Sequence, residues 1–466
     1  MAMQSAGPGA KRMKPTAPQI YQEAPPGAEE EDDQESPDRI SSLPDAILGE
    51  IISLLPTKEG ARTQTLASRW RHLWRTAPLN LDCRDLPADD NGNLLGVFLS
   101  AHEGPVHRLC LPSRHLQDRA AAVDAWLRSP ALDNLQALEF YLDTPVRYGS
   151  FMHSPPASVF RFSSTLRTAA ITQCHLPDNV VEMLRFPQLQ KLELVEVKIS
   201  EGSLASLITS GCPALESLLL DTCGSFHICG LRINSPTLKI IAVDSRSVEL
   251  IIENAPSLER LLNFIIHVKM RLTVISAPKL EMLGYISEYA DSKMTFGSTS
   301  IQDLRIDSLT TVVRTVKTLA IHSNFNLHMV IDLMRCFPCL ENLYMKIRKS
   351  TAGEANSWRR KHKNFLTSHD MRLKSIFLGY YQGIRAHVDF VTFFVLNAKV
   401  LESIRLEVGS RDFNERYFAE QRSVLQMEKS ASRGARLCFK TPCDHDGSHA
   451  LHVGDLDSTD PFACGC

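Results

Sequence analysis

The most constraining feature of the chain is a short motif, a proline followed by spaced leucines, that returns at nearly regular intervals. Clear copies begin at four prolines within residues 187–256, and later copies begin at Pro278 and Pro338. The first leucines of five copies, Leu189, Leu215, Leu238, Leu258 and Leu280, are separated by 26, 23, 20 and 22 residues. Because one copy is too short to bury its own apolar side chains, the copies must stack on one another around a shared core.

These intervals fall within the roughly 20–29 residues typical of leucine-rich repeats, in which each copy adds one strand to a parallel sheet. Weaker copies are indicated at Val106, Leu135 and Leu166 before the regular block, and at Ile301, Val316, Leu373 and Leu401 after it. We therefore predict an α/β protein in which a solenoid follows a small helical bundle, with the repeats over residues 100–335.

Side chains that alternate with the buried leucines are expected to line the concave face of the sheet. The middle of this face is more apolar than a solvated surface. That composition indicates either a hydrophobic recognition surface or a strand register displaced by one residue, and the sequence does not separate the two. The candidate residues for binding a target protein are Lys191, Glu193, Leu219, Ile240, Arg260, Leu262, Met282 and Tyr344.

Residues 38–80, which precede the repeats, have the three-to-four spacing of apolar residues that is typical of amphipathic helices. Pro44 suits a first helical turn, and Pro56 ends that helix. A second apolar face includes Leu66, Trp70 and Trp74. A bundle of this size cannot enclose so many large side chains alone, so a partner protein or a neighbouring domain is expected to cover them.

Three runs in this stretch, residues 38–48 (DRISSLPDAIL), 51–56 (IISLLP) and 65–74 (TLASRWRHLW), closely resemble the F-box of plant F-box proteins. The resemblance implies that the helices bind a Skp-type adaptor, and through it a cullin, in an SCF ubiquitin ligase. The adaptor-binding residues that resemblance and apolar periodicity suggest are Leu43, Pro44, Ile47, Ile51, Leu55, Trp70 and Trp74.

Later segments, residues 336–343 (CFPCLENL), 373–380 (LKSIFLGY) and 388–402 (VDFVTFFVLNAKVLE), resemble the FBD module. Together with the F-box and the repeats, this module is similar to the plant F-box/FBD/LRR family. Its residues, 336–410, predict a strand, a long polar excursion, a strand, an amphipathic helix and a strand that cap the solenoid. Residues 411–466 form a C-terminal extension.

The resemblance implies a non-enzymatic substrate receptor that holds a target protein for ubiquitination and proteasomal degradation. We found no glycine-rich phosphate loop, nucleophile elbow or zinc-protease helix, and we expect no cofactor. The alternative is an interaction scaffold whose F-box helices pack internally and never bind an adaptor. Burial of Trp70 and Trp74 in the isolated protein would favour that alternative.

Composition limits the other partners. The 51 Lys and Arg residues balance 53 Asp and Glu residues, so no nucleic acid or membrane binding is expected from net charge. No apolar run approaches the ~18–20 residues of a spanning helix. Twelve cysteines in 466 residues suit reduced thiols in the nucleus or the cytoplasm. Residues 1–37 are expected to be a disordered tail, in which the basic residues 11–14 are either a nuclear address or a solvated cluster.

Three further patterns leave alternatives open. Cys336 and Cys339 fit a structural repeat position better than half of a zinc or redox site. The basic run at residues 358–363 fits a solvated loop better than an RNA contact. The last residues combine cysteines and histidines without the spacing of a standard zinc finger, namely Cys438, Cys443, His445, His449, His452, Cys464 and Cys466.

Overall fold

A computed structural model describes residues 39–40, 42–86, 93–143, 153–221, 228–245, 247–264, 269–288, 291–323, 326–347, 371–442, 452–457 and 461–462. The chain divides into two compact units, Met1–Pro44 and Asp45–Cys466. In the first unit, the Leu43 backbone N–H donates to the Ile40 carbonyl oxygen at 3.1 Å and forms a turn. The described helices and strands all lie in the second unit.

The helices and strands follow one another along the chain in a helical start and a long strand-rich remainder. The helices are α1 (Asp45–Leu54), α2 (Thr57–Arg62), α3 (Ser68–Thr76), α4 (Asn93–Ala101), α5 (His115–Asp118), α6 (Ala120–Leu127), α7 (Asp178–Val181), α8 (Glu201–Ser206), α9 (Leu327–Cys336), α10 (Arg385–Asn397) and α11 (Glu415–Val424). The strands are β1 (Leu79–Asp82), β2 (Val106–Pro112), β3 (Ala137–Tyr141), β4 (Thr168–Thr172), β5 (Lys191–Val195), β6 (Ser217–Asp221), β7 (Ile228–Asn234), β8 (Ile240–Asp244), β9 (Ser247–Asn254), β10 (Arg260–Asn263), β11 (Lys269–Val274), β12 (Met282–Ser287), β13 (Lys293–Phe296), β14 (Thr299–Gln302), β15 (Arg305–Ser308), β16 (Thr318–Ser323), β17 (Asn342–Ile347), β18 (Ser375–Tyr381), β19 (Ser403–Val408) and β20 (Arg436–Lys440).

The main sheet has fourteen strands in the described part of the chain, in the order β1-β2-β3-β4-β5-β6-β8-β10-β12-β16-β17-β18-β19-β20. Neighbouring strands are parallel, and equivalent repeat positions face one another, as in the row Leu192, Leu218, Ile241 and Leu261. The predicted α/β fold class, helices followed by a solenoid, is confirmed. The sheet also extends further than predicted, since β1 begins inside residues 38–80 and β20 lies inside the C-terminal extension.

The repeat leucines form the solenoid core. Leu189, Leu192 and Leu194 of one repeat are buried, as are the equivalent residues of its neighbours. Hydrophobic burial contributes about 1.5–3 kcal/mol for a side chain of this size. Helix α10, which connects β18 to β19, adds the buried rings of Phe390 and Phe394. Burial of the repeat leucines between stacked copies, which the sequence predicted, therefore holds the strands in place.

A second sheet of six strands, in the order β15-β14-β13-β11-β9-β7, lies on the other side of the leucine core. It replaces the helices that return the chain elsewhere in the solenoid. The predicted repeat copy at Ile301 is wrong, because Ile301 lies in β14 and pairs antiparallel with Met294 of β13. An alternating apolar pattern gives the same signal in a returning strand as in a repeat strand.

Helices α1 and α2 pack on the first strand of the sheet, and α3 packs on α1. The Thr57 hydroxyl donates to the Asn80 carbonyl oxygen, and the Asp82 N–H donates to the same hydroxyl at 3.0 Å. The Glu103 and Gly104 N–H groups donate to the Arg75 carbonyl oxygen at 3.2 and 3.1 Å. No helix in the described ranges has the length and apolar character required to cross a bilayer.

Candidate interaction surfaces

Helix α1 has apolar side chains on two faces. Leu48 and Ile52 are buried against the neighbouring helices. Ile47, Ile51 and Leu54 stay 42%, 37% and 82% exposed. We call these three residues the α1 apolar face. Positions three and four apart lie on the same side of a helix, so the exposed side chains form a continuous stripe. Such a stripe is suited to packing against another protein.

The other residues predicted to bind an adaptor lie in different environments. Trp70 and Trp74 are only 6% and 5% exposed. Trp74 packs on Gly60, where an added Cβ would meet its ring at 2.6 Å, and its ring centroid lies 5.9 Å from that of His102. The sequence therefore placed two core residues among the expected contacts. In the first unit, Leu43 is half-buried and Pro44 is exposed, while Leu55 of the second unit is half-buried.

Two further features adjoin the N-terminal helices. Leu66 is 65% exposed just before α3, although the sequence pattern had grouped it with Trp70 and Trp74 on one apolar face. The Arg69 guanidinium of α3 pairs with the carboxylate of Asp45 and links α3 to the start of α1. This ion pair is solvent-exposed, and such pairs are generally worth less than about 1 kcal/mol. Apolar packing therefore fixes α1 relative to α3.

The concave face has the strand register that the sequence predicted in β6, β8, β10 and β17, whereas in β12, whose pairing with β16 is irregular, Tyr285 joins the face. Its side chains form an apolar cluster that is separate from the repeat leucines. The strand residues of this cluster, here called the concave cluster, are Leu219, Ile240, Ala242, Leu262, Tyr285, Ala320, Tyr344 and Phe377. Val195, Phe264 and Met282 pack against them. The apolar composition is thus a property of the face and not of a displaced register.

A segment from the end of the chain covers the concave cluster. Residues 452–457, which include a 3-10 helix at Val453–Asp457, and residues 461–462 are here called the C-terminal segment. Val453, Leu456 and Phe462 join the concave cluster and are 0%, 1% and 7% exposed. Sequence reasoning missed this contact. A signal was present in the aliphatic pair three positions apart, followed by an aromatic residue.

Polar contacts fix the C-terminal segment at its helical turn. The Val453 N–H donates to Oε2 of Glu193 at 2.8 Å, where the carboxylate caps the turn. The Arg260 guanidinium donates to the Leu456 carbonyl oxygen at 3.1 Å. The Lys191 ammonium pairs with the Asp457 carboxylate. Three residues predicted to bind a target thus bind the chain's own C-terminal segment.

The aromatic end of the C-terminal segment sits over strands β12 and β17. The Phe462 ring centroid lies 5.2 Å from that of Tyr285 and 5.3 Å from that of Tyr344. Gly284 makes room for this ring, because an added Cβ would meet Phe462 at 2.7 Å. Phe462 therefore occupies a site that has the rings of Tyr285 and Tyr344 beside it and Gly284 beneath it.

Charged groups gather where the C-terminal segment begins. Glu139 accepts hydrogen bonds from Arg84 at 2.6 Å and Arg108 at 2.8 Å, and its Oε2 lies 3.8 Å from Nε2 of His452. Burial acts to raise the pKa of Glu139, but these hydrogen bonds and the Arg84 charge outweigh it and hold the pKa below its ordinary value. Burial raises the pKa of Glu193 to about 7.

Comparison with known proteins shows which proteins this chain is similar to. The model of a family described as FBD-associated F-box protein At5g56370, LRR repeats, matches residues 123–345. The FBD-associated F-box protein At5g56440 of Arabidopsis thaliana is 31% identical over 278 residues, which are 56% of this chain and 62% of that protein. The F-box/FBD/LRR-repeat protein At1g13570 of the same plant is 31% identical over 235 residues, 48% of this chain and 53% of that protein. The chain is similar to plant FBD-associated F-box/LRR-repeat proteins, chiefly in its repeats.

A further relative of this family, F-box/LRR-repeat protein 13 of Arabidopsis thaliana, is 26% identical over 339 residues, 66% of this chain and 70% of that protein. The chain spans between about half and two thirds of the length of the first two relatives. The repeats carry the family match, since residues 123–345 lie within the solenoid. The two surfaces described above flank and cover those repeats.

The cysteine and histidine patterns give no metal site within the described ranges. No group of three or more potential ligands comes together there. Cys336 is a buried thiol in α9, and Cys339 is a partly buried free thiol. Cys438 is exposed, and His452 belongs to the charged group beside Glu139. The other tail residues, Cys443, His445, His449, Cys464 and Cys466, and the basic run 358–363, lie outside the described residues.

Proposed function

We propose that this protein is the substrate-recognition subunit of an SCF-type ubiquitin ligase. In this proposal the N-terminal helices bind a Skp-type adaptor, the adaptor binds a cullin, and the concave face binds a target protein. The similarity to plant F-box/LRR-repeat proteins supports the coarse assignment. The observation that carries the adaptor role is the α1 apolar face, which stays exposed although the rest of the bundle is packed.

The burial of both tryptophans alters the proposed contact set. Trp70 and Trp74 hold α3 against its neighbours and shape the bundle from inside. Ile47, Ile51 and Leu54 are the side chains that an adaptor would cover, with Leu43 and Pro44 retained from the F-box resemblance. Exposed aliphatic residues of this size each gain about 1.5–3 kcal/mol when fully buried.

The proposed mechanism requires no catalytic residue in this chain. The solenoid holds the target close to the ubiquitin-loaded enzyme that the cullin recruits. Target lysines then react at a raised effective concentration. Because repeat strands pair continuously from β1 to β20, the spacing between adaptor and target is set by a rigid element. We place this assembly in the nucleus or the cytoplasm, where the free thiols of the described residues would stay reduced.

The adaptor role is tested by co-purification of the full chain with a Skp-type adaptor. We expect Ile47→Ser with Ile51→Ser to lower adaptor binding at least tenfold, because two exposed apolar side chains leave the interface. The matched control is Met183→Ser with Ile275→Ser, which removes two residues that are 61% and 63% exposed elsewhere. The control is expected to bind as the unaltered chain does.

The alternative function is an interaction scaffold that binds no adaptor. It is favoured by the burial of Trp70 and Trp74 and by the hydrogen bonds between the helical bundle and β1. Under this alternative, the exposed α1 apolar face has no binding function. Failure of the unaltered, folded chain to bind an adaptor would replace the ligase proposal with this one.

A further inference from the structure

The C-terminal segment covers the same face that we propose for target binding. We propose that this segment is an internal occupant of the target site, and that the target displaces it with a protein segment of the same chemistry. That chemistry is a short helical turn with two aliphatic side chains three positions apart, an acidic residue at its end and an aromatic residue further along. This inference rests on the target-binding half of the proposed function.

The C-terminal segment lies on a sheet that is complete without it. Among the described residues it adds no strand to either sheet. Among the described residues its apolar side chains pack on the concave cluster and on Phe264, whereas the repeat leucines are buried on the opposite side of the strands. Its removal therefore exposes the face without opening the leucine core. A segment that formed part of the leucine core could not be removed without exposing that core.

The side chains of the concave face change from charged to aromatic along the C-terminal segment. Carboxylates, arginines and a lysine surround the helical turn, and aromatic rings surround the distal end. The Lys191 ammonium is suited to a carboxylate, and the Glu193 carboxylate is suited to the free N–H at the start of a turn. The concave cluster is suited to the aliphatic pair, and Gly284 leaves space for one aromatic ring. Each feature selects part of the target chemistry stated above.

The C-terminal segment competes effectively with a separate target because it is part of the same chain. A tethered segment is present at an effective concentration near the millimolar range when its linker spans the distance. A separate segment of equal intrinsic affinity therefore binds the unaltered chain weakly. Only a better-matched target, or release of the C-terminal segment, opens the face.

The probe for this proposal is a fluorescein-labelled peptide of residues 450–463 (ALHVGDLDSTDPFA). It is titrated against the full chain and against a released full chain that carries Val453→Ser, Leu456→Ser and Phe462→Ser. Fluorescence anisotropy is expected to give at least tenfold tighter binding to the released chain. The matched control is the full chain with Met183→Ser, Ile275→Ser and Val424→Ser, which removes three exposed apolar side chains elsewhere and is expected to behave as the unaltered chain.

A charge exchange in the released chain tests the polar contacts of the same proposal. Lys191→Glu, added to the released chain, repels Asp457 of the natural peptide, so we expect this chain to bind that peptide poorly and to bind a peptide with Asp457→Lys several-fold more tightly. Equal peptide binding by the released and unaltered chains overturns the proposal. Absent binding by a released chain with an unchanged melting curve, together with absent charge rescue, also overturns it.

Neither experiment contains an adaptor. Loss of the ligase assignment would leave these outcomes intact, and loss of self-occupancy would leave adaptor binding intact. A protein partner that binds the concave face without competing with the peptide would show that the face has a different occupant. That result would contradict the chemistry proposed here.

Discussion

Glu193 shows how one side chain couples the concave face to the C-terminal segment. Its carboxylate accepts the Val453 N–H, and burial raises its pKa to about 7. The charged groups that face it are Glu139, Asp221 and Asp455, whose negative charges act in the same direction, and the imidazole of His452 at 3.8 Å. When the C-terminal segment is absent, the carboxylate faces solvent and its pKa should return towards the ordinary value. Docking then requires uptake of a proton.

This coupling predicts a pH dependence for peptide binding to the released chain. A carboxyl group whose pKa rises on docking favours the docked state as the pH falls through that pKa. The pKa of His452 is lowered by burial and opposes this trend below its ordinary value, so the peptide carries His452→Gln. We expect its affinity to rise several-fold from pH 8 to pH 6, measured by anisotropy. Glu193→Gln should remove the dependence, and a dependence that survives this change would assign it to another group.

At the scale of elements, the two glycines of the N-terminal helices have opposite surroundings. Gly60 in α2 faces the Trp74 ring, where an added Cβ would lie 2.6 Å from the nearest ring carbon, while a Cβ on Gly49 in α1 would meet nothing within 4 Å. We expect Gly60→Ala to destabilise the fold by about 1–3 kcal/mol through overpacking. Gly49→Ala should stabilise it by about 0.5–1 kcal/mol through helix propensity. Thermal unfolding followed by circular dichroism measures both, and a rise in melting temperature for Gly60→Ala would contradict this packing of α2 on α3.

The main sheet could be predicted from the sequence because each repeat contains the leucine pattern of its own strand. Leu192, Leu218 and Ile241 occupy the same position of successive copies, and stacking gives that position only one inward direction. The six-stranded second sheet was missed since its strands lie in the variable connections between copies. The contact of Phe462 with Tyr285 was missed for a different reason. The two residues are far apart in the chain, and no periodicity joins an isolated segment to a distant face.

The same limit explains the adaptor residues. Periodicity shows that Ile47, Ile51 and Trp74 lie on helical faces, but it does not show which face meets solvent. That distinction depends on β1 and on the helices that pack around the bundle, which are tertiary contacts. The F-box resemblance predicted the segment, and the structure supplied the division of its residues into core and surface.

Across the whole molecule, the adaptor surface and the covered concave face use separate residues. The α1 apolar face lies before β1, whereas the C-terminal segment contacts strands from β3 to β17. No residue belongs to both surfaces. Under the two proposals made above, the C-terminal segment regulates target access without blocking the adaptor, and the free chain enters the ligase assembly with its target site closed.

This separation predicts two independent losses in one set of full-length variants. The released chain, with Val453→Ser, Leu456→Ser and Phe462→Ser, is expected to bind a Skp-type adaptor within about twofold of the unaltered chain and to bind the labelled peptide at least tenfold more tightly. Ile47→Ser with Ile51→Ser is expected to lose adaptor binding and still exclude the peptide. Biolayer interferometry with the adaptor and anisotropy with the peptide measure both on the same preparations. Loss of adaptor binding in a folded released chain would mean that the C-terminal segment and the α1 apolar face are energetically coupled, because residues that share no contact should otherwise contribute additively.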